Sequence, residues 1–195
     1  MPGMFRSDVS IHDIDHVYIA APGGALTIID DRIVSQTENR FYSYGILFSY
    51  GRRMELTDRL QELGIDMQLS SLGRLDKTIC YVIGARYPDA DLPQLWVEKE
   101  TFLPVRLVPS SGGNKDQVPD EEIRFLQWQR FNGVRYPGEI IILEKGSVVQ
   151  KIIVDSVKSN PAFAPDSFDI QGLTSSLENR NQADGDKNIS EEIQK

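Results

Sequence analysis

One cysteine, Cys80, and two histidines, His12 and His16, are all that 195 residues offer of the side chains that most often bind metals or act as nucleophiles. A lone thiol cannot close an internal disulfide, and a free cysteine packs as a small apolar residue, so Cys80 is expected in the core. His12 and His16 stand four apart in IHDIDH, a spacing that on a helix would put them on one face with Asp13 or Asp15 as metal ligands. That segment is flanked by strand-like sequence and has no second ligand cluster, so no metal site is expected. Gly-rich phosphate loops and Ser, Cys or His nucleophile motifs are missing, so neither a catalytic residue nor a cofactor is expected. No apolar run approaches the ~20 residues of a transmembrane helix. The opening MPGMFRSDV lacks the charged start and apolar stretch of a signal peptide. Positive charge is in deficit too: the formal net charge is −8, which argues against nucleic acid as a partner. Much of the acid lies at 116–122 and in the last eighteen residues, as solvated loops do.

What is present reads as short strands and turns. The hydrophobic fraction of 40% and charged fraction of 26% are ordinary for a globular domain. The stretch from Ile79 to Val108 organises the rest. Ile79, Tyr81 and Ile83 alternate with Cys80, Val82 and Gly84, which predicts a strand buried on both sides over most of its length. A loop with Pro88 and Pro93 follows, then an extended run from Leu95 to Lys99. A corner at Glu100 to Pro104 then returns the chain through Val105 to Val108. Earlier strands are predicted at Phe5–Ile11, His16–Ala21, Ala25–Ile29 and Arg32–Ser35, and Gln36–Tyr44 reads as a strand or a loop. Later ones are predicted at Glu122–Phe131, Glu139–Glu144 and Val148–Val157, with turns at Asn132-Gly133 and Lys145-Gly146 and an interruption at Tyr136-Pro137-Gly138. Ile140 to Leu143 has no polar face, so both sides of the sheet need cover there. Ile65–Leu75 reads as an irregular link.

One helix is predicted, from about Tyr50 to Leu63. Leu56, Leu60 and Leu63 fall at i, i+4 and i+7, Met54 adds to that side, and Gly64 supplies a stop. From Thr174 apolar residues thin out, which predicts a disordered polar tail over 174–195.

The runs YVIGAR, LWVEKETFLPVR, IRFLQWQRFNGVRYPGEI and VKSNPAFAPDSFDI resemble bacterial outer-membrane lipoprotein-sorting proteins of the LolA type. The features carrying the resemblance are Trp96, the Phe102–Arg106 corner, the Gly133–Pro137 hairpin, and the closing pattern of Asn160, Phe163, Pro165 and Phe168. The resemblance implies a mainly β, α+β fold: a curved antiparallel sheet forming an incomplete barrel over 1–173, with at least one helix on its concave side. It also implies a non-enzymatic periplasmic carrier that takes the acyl chains of a lipidated protein, or another apolar ligand, on that concave face. The expected apolar lining is Leu56, Leu60, Leu63, Trp96, Phe102, Phe125 and Trp128. An envelope signalling or protein-interaction module on the same scaffold is the alternative. Family members carry a leader, a helix and strands ahead of the segment matching PGMFRSDV, so the chain is expected to be an N-terminally incomplete form.

Overall fold

Two-residue turns build most of the architecture. Four of them, His12-Asp13, Asp30-Asp31, Asn132-Gly133 and Lys145-Gly146, hold both central residues at φ between 48° and 89°. That is the type I′ geometry, whose twist matches that of the strands it joins. In this computed structural model, which describes residues 4–39, 45, 47–48, 52–110, 118–159, 161–164 and 166–180, the strands are all antiparallel to their neighbours. They are β1 (Phe5–Ile11), β2 (Ile14–Ala21), β3 (Gly24–Ile29), β4 (Arg32–Ser35), β5 (Ser70–Leu75) and β6 (Thr78–Ile83). The remainder are β7 (Gln94–Glu98), β8 (Pro104–Val108), β9 (Glu121–Phe131), β10 (Val134–Glu144) and β11 (Ser147–Ile153). Helix α1 spans Arg53–Glu62 and helix α2 residues 170–180.

The fold is mainly β with helices and, among the described residues, no closed barrel, which is the class the sequence implies. Its strands form two sheets, however, not one: β1-β2-β3-β4 and β11-β10-β9-β8-β7-β6-β5. Each hairpin fixes its two strands as neighbours, whereas β4 and β5 are separated by residues 36–69 and each ends its own sheet. The chain accordingly divides into two compact units, Met1–Tyr50 with Ala162–Lys195, and Gly51–Pro161.

In the first unit, Leu26 and Ile28 of β3 meet Leu177 of α2, with Val17, Ile33, Ile170 and Leu173 packed around them. Ile170, Leu173 and Leu177 share one helix face, three and four residues apart. Asp169 caps the helix by accepting a hydrogen bond from the Gly172 backbone N–H at 3.0 Å. Arg6 ties β1 to the helix entry, donating from Nη1 to the Ser167 carbonyl at 2.9 Å while its Nε and Nη2 hold Asp8. The expected disordered tail is therefore corrected at its start: residues 174–180 are helical, because buried Leu177 continues a face begun at Ile170. The rest of that tail, and most of Gln36–Tyr44, lie outside the described residues. His12 occupies a hairpin turn and His16 a strand, so the pair has no helical spacing. Phe163 and Phe168 meet edge to face at 5.3 Å, while Asn160 and Pro165 lie outside the described residues.

In the second unit the register assigns every side chain to one of two faces. Leu95 pairs with Leu107 and Leu107 with Ile123, and Phe125 pairs with Ile140 and Ile123 with Ile142. All six are buried, and this face is the main core of the unit. Val82 pairs with Trp96, Trp96 with Arg106, and Arg106 with Arg124, and these occupy the opposite face with Cys80.

Several local expectations change. β6 is fully buried on one side only: Cys80 and Val82 are fully buried, but on the other face Ile79 is 47% exposed and Tyr81 and Ile83 are half-buried. Residues 70–75 of the supposed irregular link form that edge strand. β10 runs unbroken through Pro137, which pairs with Trp128. Helix α1 buries Leu60 and half-buries Leu56, its C-cap Leu63 is half-buried too, and Met54 is 75% exposed and leaves the stripe. Gly64 stops the helix as expected, with φ at 87°.

Cys80 is fully buried, and its thiol pKa is raised by burial and then by the negative charge of Glu98. Thiol labelling of the native protein is expected to be slow and to accelerate sharply on unfolding in denaturant. Labelling at the rate of a free thiol in native buffer would place Cys80 at the surface instead.

Candidate apolar cavity on the seven-stranded sheet

A cavity of about 280 Å³ opens on the second unit, lined by Leu75, Asp76, Thr78, Val105, Arg124, Phe125, Leu126 and Ile141. The β5–β6 hairpin supplies three of these residues and β9–β10 four. Laid flat at ~4.8 Å per strand, β6 and β10 would stand roughly 19 Å apart. Their meeting around one small cavity requires the sheet to curl toward the face that bears Trp96. Leu75, Val105, Leu126 and Ile141 make the walls apolar, and Arg124 and Asp76 supply the charge.

The cavity borders a compact cluster. Cys80, Val82, Ala85 and Trp96 are buried together, with Leu75 and Val105 packed against them. The Trp96 ring is fixed on every side. Its Nε1 donates to Gln94 Oε1 at 2.7 Å, and Gln94 Nε2 in turn donates to the carbonyls of Leu92 at 2.9 Å and Asp89 at 3.2 Å. Tyr87 meets the indole edge to face at 6.0 Å, and the Arg106 guanidinium stacks over it at 5.5 Å. Gly73 of β5 permits this packing, since a Cβ there would come within 2.8 Å of the Tyr87 ring and 3.0 Å of the Trp96 ring.

Arg106, Glu122 and Arg124 form a charged cluster on this face. Glu122 accepts from Arg106 Nη2 at 2.8 Å through one oxygen and from Arg124 Nε through the other. Burial alone would raise the Glu122 pKa, but the two guanidiniums more than offset it and hold the carboxyl below its ordinary value.

Of the seven residues expected to line a ligand site, Phe125 alone lines this cavity. Phe125 borders the cavity but belongs by register to the opposite, core face from Trp96. Trp96 is enclosed by protein groups, and Trp128 spends its Nε1 on the Pro104 carbonyl at 3.0 Å. Phe102 is 70% exposed at φ 57°, stacked on Tyr81 at 6.1 Å. Leu56 and Leu60 are on α1 and Leu63 caps its C-terminus, and none of the three lines the cavity. Sequence reasoning missed Leu75, Val105, Leu126 and Ile141. Each belongs to an alternating strand pattern, but only the curl of the sheet brings them together. Among the described residues, no three His, Cys, Asp or Glu side chains stand close enough to hold a metal ion, and no helix is long and apolar enough to cross a membrane.

The fold and site thus define an antiparallel β protein with a small apolar cavity on one curled sheet. No protein-family model matches the chain, and no curated protein matches it. Among solved structures, the crystal structure of a DUF1329 family protein from Desulfovibrio piger is similar at 14% identity and a TM-score of 0.39, over 84% of this chain and 67% of that one. A likeness of that degree decides neither fold nor function.

Proposed function

We propose that this protein is a non-enzymatic carrier of apolar chains in the bacterial envelope, taking an acyl chain of a lipid or lipidated protein into the cavity between the β5–β6 hairpin and β9–β10. The apolar lining of that cavity carries the reading. Its volume is just below the ~300 Å³ lower end of small-molecule sites, which suits one short chain or the end of a longer one. Each buried CH₂ contributes about 0.8 kcal/mol, so a few methylenes suffice for measurable binding.

Native mass spectrometry of protein recovered from a periplasmic fraction tests the proposal. A co-purified lipid mass is expected, together with displacement of a fluorescent acyl probe. Leu126→Trp, which fills the cavity, is expected to weaken probe binding about tenfold or more, since it removes the volume in which the chain is buried. Unchanged probe affinity in a folded Leu126→Trp variant would move the site elsewhere, and absence of both lipid and probe binding would reject the carrier role.

A second reading, a protein-interaction module, is favoured by Phe102. This aromatic residue is held at positive φ, which costs about 1 kcal/mol or more, and it is nevertheless largely exposed, stacked on Tyr81, whose cross-strand partner Leu72 and strand neighbour Ile79 are exposed too.

A further inference from the structure

We infer that the ligand of this cavity carries a carboxylate seated on the free end of Arg124, an inference that rests on the apolar-chain reading above. Strand pairing sets Arg106 directly opposite Arg124. Like charges in that position destabilise a sheet. Glu122 bridges the two, but one carboxylate between two guanidiniums leaves one positive charge over.

The surplus resides on Arg124. Arg106 is stacked on Trp96, bound to Glu122 through Nη2, and only 15% exposed in its side chain. Arg124 engages Glu122 through Nε alone, and its Nη1 and Nη2 have no partner among the described residues. Its side chain is 42% exposed and lines the cavity. The free edge of a guanidinium presents paired N–H donors that match the two oxygens of a carboxylate. Apolar walls beside such a donor pair fit a chain with an acidic head, and the small volume fits one short chain or part of a longer one. Asp76 lines the same cavity from the β5–β6 turn and makes no ion pair with Arg124 among the described residues. It opposes an anion there, so its removal has a predictable sign.

The test titrates the full chain with decanoate and with decan-1-ol, which share a chain and differ in the head. Decanoate is expected to bind about tenfold more tightly, the size of one charge-assisted hydrogen-bonded contact. Arg124→Gln should bring decanoate down to the affinity of the alcohol while leaving the alcohol within about twofold, and Arg124→Lys should keep part of the difference because it retains charge without the fork. Asp76→Asn should strengthen decanoate binding about twofold or more at low salt. This exposed turn residue keeps the test decisive even if an Arg124 variant fails to fold. Equal affinity for the two probes in the wild type overturns the carboxylate inference and leaves the apolar-chain reading standing. Binding of neither overturns both. Parallel loss of acid and alcohol binding in a normally melting Arg124→Gln variant also overturns the inference, because Arg124 would then support the chain and not the head.

Discussion

Phe125→Ala is expected to cost about 3–5 kcal/mol of stability, the range for truncating a large aromatic side chain in a close-packed interior. Phe125 is almost wholly buried on the face that holds Leu107, Ile123, Ile140 and Ile142, and those neighbours lie on paired strands that cannot close the gap without breaking register. Against the 5–15 kcal/mol typical of a whole domain, such a loss is severe. Urea denaturation should show a much lower midpoint at an unchanged slope. Phe102→Ala provides the contrast. Its ring is largely in solvent, so a change within about 0.5 kcal/mol is expected. Equal costs for the two substitutions would mean that the register-based division of faces is wrong.

Glu122→Gln is expected to cost about 2–3 kcal/mol at neutral pH. The substitution leaves Arg106 and Arg124 opposite each other with no charge between them, and Arg106 is mostly buried. The pH dependence has a defined sign. The folded-state pKa of Glu122 lies below its unfolded value, so its contribution is fully present above about pH 4.3 and is lost as pH falls through the lowered folded value. The stability gap between wild type and Glu122→Gln should therefore be constant from pH 6 to 8 and narrow below about pH 4. A gap that stays constant down to pH 3 would show that Glu122 acts by shape and not by charge.

The two substitutions probe different levels of the same sequence pattern. Alternation in EEIRFLQW marks a half-buried strand, and alternation in QLWVE marks another. Neither says whether Trp96 shares a face with Phe125. Cross-strand pairing decides that, and it puts them on opposite sides, which is why an expected lining that included both Trp96 and Phe125 combined two surfaces. The helix stripe shows the same limit. Leu60 was legible as an inward residue, but what it covers depends on tertiary packing.

Residue chemistry by itself determined the mainly β antiparallel fold, most strand positions, the I′ turns at Asn132-Gly133 and Lys145-Gly146, the stop at Gly64 and the burial of Cys80. Those features depend on φ preferences and side-chain period, which act over a few residues. Tertiary structure alone decided the division into two sheets, the helical continuation to Leu177, the Arg106–Glu122–Arg124 bridge and the cavity beside it. These depend on strand register and sheet curl, which join residues far apart in the chain, and a one-residue shift in register would exchange every inward side chain for an outward one.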